Sequence, residues 1–194
     1  MYFEEGCIYH VYNRSNELLF RSRENYLFFL RKIRELVLPY AHVLSYCLMP
    51  NHFHFILKIK LEGIQCFENK WVDQLQYIAK AIGTLQSSYT QALNKQIGRR
   101  GNLFAHKVKA KSLTHTDNDY ALNCFMYIHQ NPKLAELVDK IEDWEFSSFP
   151  DFIGKRNGTL INKQIALDVF QLESSQIYGL TCQMLQDKMD EDFL

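Results

Sequence analysis

The sequence has little glycine and proline, with 8 Gly and 4 Pro among 194 residues, which excludes collagen-like, low-complexity and broadly disordered chains. It also lacks an apolar run of the roughly 18 residues that a membrane helix needs. No basic stretch followed by an apolar segment opens the chain, so no secretory signal is expected. With 47% apolar residues, the chain is predicted to be a single globular cytoplasmic domain with a substantial core.

Cysteines are few and lack the spacing of a structural site. The five thiols are odd in number and widely spaced, and no Cys-x-x-Cys pair occurs. A disulfide framework and a cysteine-based zinc site are therefore not expected, and free thiols in a reducing compartment are the simplest interpretation.

The formal net charge of zero conceals an asymmetry. Residues 1–111 carry a balance of +8, and residues 112–194 carry a balance of −8. The stretch from Lys95 to Lys111 contains six basic residues and no acidic one. A basic face of this kind attracts polyanions such as nucleic acids. A solvated surface that pairs with acidic groups elsewhere in the fold explains the charges equally well at this point.

Hydrophobic periodicity predicts an α+β fold, in which an antiparallel sheet carries helices packed on one face. Residues 1–152 are expected to form the domain, and residues 153–194 to form an extension that wraps the same core. The predicted elements are a strand at 6–13, a helix at 25–38, a hairpin of Val43–Met49 and His52–Lys60 around Pro50-Asn51, a helix at 71–93, a short strand at the end of 98–112, a helix from 116–118 to about Gln130, where Pro132 ends it, and a helix at Lys163–Leu172.

The second strand of the hairpin alternates in a way that separates two faces. Phe53 and Phe55 are on the predicted core face, whereas His52 and His54 share the other face. Two histidines two residues apart on a strand can reach the same ion. A His-x-His pair is weak evidence by itself, and two exposed or hydrogen-bonded imidazoles remain the alternative.

The helix that follows the basic stretch supplies what a metal site would still need. Tyr127 and Asn131 are four residues apart and therefore share a helix face. Asn131 offers an oxygen ligand, and Tyr127 offers a phenol that can attack phosphorus when a divalent cation polarises a phosphate. Because the chain has 11 tyrosines, a core tyrosine with a satisfied hydroxyl is the simpler interpretation from spacing alone.

Five sequence blocks together resemble the REP-associated tyrosine transposases and the single-tyrosine transposases with an HUH motif (histidine, bulky hydrophobic residue, histidine). The blocks occur in the family's order over roughly residues 6–152. They are Tyr9-His10-Val11-Tyr12-Asn13-Arg14, Pro50-Asn51-His52-Phe53-His54-Phe55, Gly101-Asn102-Leu103-Phe104 with Lys107, Tyr127-Ile128-His129-Gln130-Asn131-Pro132, and Trp144 with Ser147-Ser148.

The resemblance implies a ferredoxin-like fold and a DNA transposase that nicks and rejoins single-stranded, hairpin-bearing DNA. It implies Mg²⁺ or Mn²⁺ held by His52, His54 and Asn131, with His129 and Gln130 as alternative third ligands. Tyr127 becomes the nucleophile that forms a 5′-phosphotyrosine. The protein would act as a monomer or homodimer in the bacterial cytoplasm. The candidate DNA-binding residues are Asn13, Arg14, Arg99, Arg100, Lys107, Lys109 and Lys111.

Three other functions are weighed against the transposase. A replication initiator or relaxase-like nuclease shares the HUH site, and a non-catalytic DNA- or RNA-hairpin-binding module needs only the basic face and the aromatics. A phosphoesterase with two His-x-Ser/Thr elements is disfavoured, because the only later candidate, His115-Thr116, lacks the spacer residue.

Overall fold

The computed structural model describes residues 1–67, 75–114 and 118–191. No helix in these ranges is long and apolar enough to cross a membrane. The strands are β1 (Ile8–Arg14), β2 (Ala41–Met49), β3 (His52–Ile59), β4 (Cys66–Phe67), β5 (Leu75–Gln76) and β6 (Lys109–Ser112). The helices are α1 (Arg23–Leu36), α2 (Leu61–Ile64), α3 (Tyr77–Ile97), α4 (Asn118–Leu134), α5 (Phe149–Phe152), α6 (Lys163–Phe170) and α7 (Ser174–Glu191).

A four-stranded sheet forms the centre of the molecule, in the order β2-β3-β1-β6. Every neighbouring pair in this sheet is antiparallel. With α1 between β1 and β2 and α3 between β3 and β6, this is the βαββαβ arrangement of the ferredoxin-like fold. The predicted fold class is therefore confirmed. The two-residue strands β4 and β5 pair separately.

One face of the sheet is packed with apolar side chains against α1 and α3. Phe53 and Phe55 are buried, and the Phe29 ring of α1 lies 5.4 Å from Phe53 and 6.4 Å from Phe55 between ring centroids. Ile82 and Leu85 of α3 are also buried in this core. Each such side chain contributes about 1.5–3 kcal/mol through its burial, so this face supplies much of the stability.

The opposite face is covered by α4. His52 and His54 lie on this face as predicted, but their face is partly enclosed, since Ile56 is fully buried. Apolar residues of the C-terminal segment are buried in the same core, among them Phe170 and Ile177.

The edge strand β2 is covered by the segment that follows α4. Leu48 donates its N–H to the Phe146 carbonyl, and the Trp144 indole donates to the Leu48 carbonyl at 3.0 Å. Ser148 Oγ accepts the Tyr46 N–H at 2.9 Å. These bonds satisfy an edge that would otherwise expose unpaired backbone groups, which gives the Trp-x-x-Ser-Ser block a structural role.

Several predicted boundaries are corrected by the structure. β1 begins and ends slightly later than predicted, α3 runs from Tyr77 to Ile97 rather than over 71–93, and residues 71–74 lie outside the described residues. The predicted start of the third helix at 116–117 lies outside them as well. α6 ends at Phe170, because Gln171 takes a left-handed conformation with φ 53°. The helix α7 was not predicted.

The prediction that Pro132 ends the third helix was wrong, because α4 continues to Leu134. Proline removes one backbone donor and crowds the carbonyl four residues earlier, which here belongs to Ile128. The Asn131 side chain compensates, since its Nδ2 donates to the Tyr127 carbonyl at 2.8 Å and to the Ile128 carbonyl at 3.5 Å. A side-chain donor therefore supports the turn that proline weakens.

Candidate active site

The register of the sheet brings the two predicted histidines beside two residues of β1. His52 pairs with Arg14 and His54 pairs with Tyr12, so these four side chains share one face. The His52 and His54 rings lie 5.0 Å apart between centroids, and the Tyr127 ring of α4 lies 6.1 Å from His54. The predicted nucleophile and two predicted metal ligands are thus neighbours across the gap between β3 and α4.

Asn131 of α4 lies beside His52. Its amide nitrogen donates to helix carbonyls, so Oδ1 is the atom that this side chain can offer to a metal. Burial lowers the pKa of His52, and the neighbouring Asn131 side chain raises it.

His52 is oriented from its other side by the hairpin turn. Its Nδ1 lies 2.7 Å from Asn51 Oδ1, and because an amide oxygen only accepts, Nδ1 carries the hydrogen. The turn is itself fixed, since the Pro50 carbonyl accepts the N–H groups of Leu19 and Phe20. In a neutral His52, Nε2 then holds a lone pair that is available to a metal.

His54 is buried more deeply than His52 and bonds to a histidine of β1. Its Nδ1 lies 2.9 Å from His10 Nε2, and the Tyr12 ring stacks on His10 with a centroid distance of 4.7 Å. Burial, followed by the nearby Lys111 charge, lowers the pKa of His10 to about 4. Burial, with the neighbouring imidazoles, also lowers the pKa of His54 well below its ordinary value. Both rings are neutral at neutral pH, which is the form that binds metals.

The donor set of this site fits a divalent metal. Two imidazole nitrogens and one amide oxygen leave coordination positions open for a phosphate and water, as a catalytic metal requires. Imidazoles bind divalent transition metals, whereas Mg²⁺ prefers an all-oxygen shell, so Mn²⁺ fits this set better. Within the described residues no group of three His, Cys, Asp or Glu could hold a metal. The candidate site therefore depends on the Asn131 oxygen.

The two alternative third ligands lie elsewhere. His129 is fully buried, its Nε2 bonds to Ser148 Oγ at 2.8 Å, and the Phe125 and Phe152 rings pack around it. Gln130 is also fully buried and donates to the Thr181 carbonyl at 2.9 Å. Both side chains are thus buried between α4 and the segments that follow it, where they bond to Ser148 and to the Thr181 carbonyl.

Tyr127 is 39% exposed at the mouth of the site. Burial of its hydroxyl end, followed by the nearby Cys124 thiol, raises the pKa of Tyr127 above its ordinary value of 10.0. The phenol is therefore protonated at neutral pH. A nucleophilic role requires that the proton leave during attack, which a neighbouring cation favours.

A cleft of about 430 Å³ extends from Tyr127 between α4 and the sheet. Lys111 stands at its rim and donates to the Tyr120 hydroxyl at 2.7 Å. Lys109 lies opposite Tyr12 in the register, with its Nζ 5.9 Å from the Tyr12 ring. The residues that line the cleft are His10, Tyr12, His54, Lys111, Tyr120, Asn123, Cys124 and Tyr127.

Of the predicted DNA-binding residues, only Arg14, Lys109 and Lys111 share this face. Asn13 faces the opposite side, is 4% exposed, and donates to Gln86 Oε1 at 2.6 Å and to the His106 carbonyl at 3.0 Å. The structure thus gives Asn13 a role in fixing the loop before β6.

The remaining three predicted DNA-binding residues belong to the loop between α3 and β6. Arg99 donates to Asn94 Oδ1 and to two loop carbonyls and pairs with Glu17 at 2.6 Å. Arg100 is exposed, and Lys107 is exposed in a separate groove of about 930 Å³ between this loop and α3. Arg99 therefore closes its own loop, whereas Arg100 and Lys107 are accessible to a partner.

His10, Tyr12 and Tyr120 belong to the site but were not assigned to it from the sequence. The signal for His10 and Tyr12 was present, because they alternate along β1 with the same period as His52 and His54 along β3. Only the cross-strand register, which pairs Tyr12 with His54, shows that the two alternating sets share one face.

Comparison with known proteins supports the fold. No family profile and no curated protein matches the chain. Among solved structures, the chain is similar to a REP-associated tyrosine transposase bound to a REP hairpin, with 15% sequence identity and a TM-score of 0.56. The match covers 80% of this chain and 84% of that one. At this identity the similarity shows a shared fold.

Proposed function

We propose that this protein is a DNA transposase of the single-tyrosine HUH class, which nicks and rejoins single-stranded, hairpin-bearing DNA as a monomer or homodimer. The observation that carries the proposal is the convergence of Tyr127, His52, His54 and Asn131 across the gap between α4 and β3. The fold shared with a transposase that binds a REP hairpin supports it.

The chemistry follows from the roles that these side chains can take. His52, His54 and Asn131 would hold Mn²⁺ or Mg²⁺, which when bound supplies the positive charge that polarises the scissile phosphate. The Tyr127 hydroxyl gives its proton to water as its oxygen attacks phosphorus. A bond forms between Tyr127 Oη and phosphorus, and the bond from phosphorus to the 3′-oxygen breaks. This oxygen takes a proton from water, so that it leaves as a 3′-hydroxyl and the protons balance. The 3′-hydroxyl of another strand reverses the step and releases Tyr127.

The shape and charge of the site indicate where the strand runs. Arg14 and Lys109 border the site face and would contact phosphates. The cleft beside Tyr127 has aromatic walls in Tyr12 and Tyr120, and unstacked bases bind on aromatic side chains. We assign this cleft to the nucleotide next to the scissile phosphate.

The decisive experiment detects the covalent intermediate. Hairpin-bearing single-stranded DNA is incubated with the protein and Mn²⁺ and analysed on a denaturing gel. Because the phosphotyrosine retains the 5′ side of the downstream fragment, a 3′-end label should stay on the protein, and a 5′-end label should be released. Tyr127→Phe should abolish the adduct. Tyr120→Phe, which changes another tyrosine of the same helix, should keep it.

Each of the other possible results would support a different function or a different nucleophile. Hairpin binding without an adduct in the parent protein would support a non-catalytic binding module. An adduct that never transfers to a second strand would support a replication initiator or relaxase-like nuclease. An adduct in Tyr127→Phe would show that another residue is the nucleophile.

A further inference from the structure

We propose that His10 is a positioning residue that holds His54 in the tautomer with hydrogen on Nδ1, which leaves the lone pair on His54 Nε2 for the metal. The inference rests on the proposed function only in its assumption that the His54 Nε2 lone pair binds a metal. It concerns a residue outside the expected ligand set, because His10 lies on β1 and bonds to the predicted ligand His54.

The geometry admits two arrangements of one hydrogen. His10 Nε2 and His54 Nδ1 lie 2.9 Å apart, and both side chains are 8% exposed. Two imidazole nitrogens at this distance bond only when one carries a hydrogen and the other offers a lone pair. If His10 donates, a neutral His54 carries its own hydrogen on Nε2 and cannot bind a metal there. If His54 donates, its Nε2 is free to bind.

The second arrangement is the one a metal site needs. His10 occupies the Nδ1 side of His54, so a metal shared with His52 can bind His54 only through Nε2. A ligating histidine characteristically donates its other ring N–H to a neighbouring acceptor, which fixes both its tautomer and its orientation. His10 supplies that acceptor from a strand adjacent to the ligand.

The sheet holds His10 in position for this role. The Tyr12 ring stacks on His10 at 4.7 Å and on His54 at 5.9 Å, and the His10 and His54 rings are inclined by only 21°. Because β1 is the central partner of both β3 and β6, its side chains are fixed on both sides. The acceptor is therefore ordered before any metal arrives.

The tautomer can be read directly by NMR that correlates the ring nitrogens of each histidine with its carbon-bound protons. In the metal-free parent protein, His54 should carry hydrogen on Nδ1 and a lone pair on Nε2. His10→Phe removes the acceptor while keeping a flat ring, so His54 should shift toward the Nε2–H form. His10→Gln restores an acceptor oxygen and should return the parent signature. His42→Phe, a histidine beside Lys58 at the other end of the sheet, should change nothing.

Metal affinity provides the second readout, measured by titration with Mn²⁺ and by the loss of the free-ion paramagnetic resonance signal. His10→Phe should weaken Mn²⁺ binding by about 10–100-fold, whereas His10→Gln should stay close to the parent. A parent His54 that carries hydrogen on Nε2, or His10→Phe with the parent tautomer, would overturn the inference. If the NMR spectra show the expected tautomers but no DNA adduct forms, the proposed transposase is rejected. The role of His10 in fixing the tautomer of His54 then still holds.

Discussion

The two faces of the central sheet are built from alternate residues of the same strands, yet they differ in almost every property. On one face, Phe53 and Phe55 are buried in the apolar core and pack against the Phe29 ring of α1. On the other, His52 and His54 are held by hydrogen bonds to Asn51 and His10. The residues of β3 that stabilise the fold and the residues of the candidate active site therefore lie on opposite faces of one strand. We expect substitutions on one face to leave the property of the other largely unchanged.

The largest effect is expected from two neighbouring substitutions on β3. Phe53→Ala should lower the free energy of unfolding by about 3–5 kcal/mol, because Phe53 is 1% exposed and its loss leaves a cavity. His52→Ala should lower it by no more than about 1.5 kcal/mol and should abolish the Mn²⁺-dependent adduct. Urea denaturation and the adduct assay measure the two quantities. Equal loss of stability in both variants would show that the faces are not separable.

The second effect concerns pH. An unfolded histidine has a pKa of about 6.5, and the pKa of folded His10 is about 4. Below about pH 6.5 the unfolded chain therefore binds more protons than the folded one. The stability that neutral His10 contributes is fully present above that pH and is lost as the pH falls toward 4, at about 1.4 kcal/mol per pKa unit.

Denaturation curves at several pH values measure this dependence, and His10→Phe provides its control. The variant should show a flatter fall in stability between about pH 6.5 and 4. The residual slope comes from the other groups whose pKa the fold lowers, among them His42, His52, His54 and the buried His129. A variant with the parent slope would mean that His10 is not kept neutral by the fold.

The third effect separates the two roles of Asn131, which are to offer an oxygen to a metal and to support the helix beside Pro132. Asn131→Asp keeps a ligand oxygen and adds charge, so Mn²⁺ affinity should rise. It also replaces the amide donor by a carboxylate that faces the Tyr127 and Ile128 carbonyls. Loss of these bonds should cost about 1–3 kcal/mol of stability. Denaturation and Mn²⁺ titration of the same variant test both parts, and unchanged stability would show that the amide does not support the helix at Pro132.

The sequence was sufficient for the features that depend on local periodicity. Alternation along β3 placed His52 and His54 on one face, and helical spacing placed Tyr127 and Asn131 together. It was insufficient where a side chain replaces a backbone partner, as Asn131 does at Pro132. It was also insufficient where contact depends on strand register, as for His10. These features arise from tertiary contacts that no single segment encodes.

The smallest expected effect concerns the basic residues, and it extends the comparison from the faces of the sheet to the surface around them. Lys109 and Lys111 border the site face, whereas Arg100 and Lys107 lie on the loop between α3 and β6. Each phosphate contact with single-stranded DNA contributes about 0.7 to the slope of log affinity against log salt. Both lysines of β6 project toward the cleft that is assigned to the DNA strand.

Lys109→Ala with Lys111→Ala should therefore reduce that slope by about 1.4, as two lost contacts predict, and should leave metal affinity near the parent value. Arg100→Ala with Lys107→Ala, which removes the same charge, should reduce it less if the strand follows the site face. Arg99 is unsuitable for this test, because its bonds to Glu17 and Asn94 close the loop and its loss would change structure as well as charge. Equilibrium binding of hairpin DNA over a range of salt concentrations measures both slopes. Equal reductions would place the strand across the loop as well as the site face, and a larger reduction from the loop pair would move the DNA path into the groove beside α3.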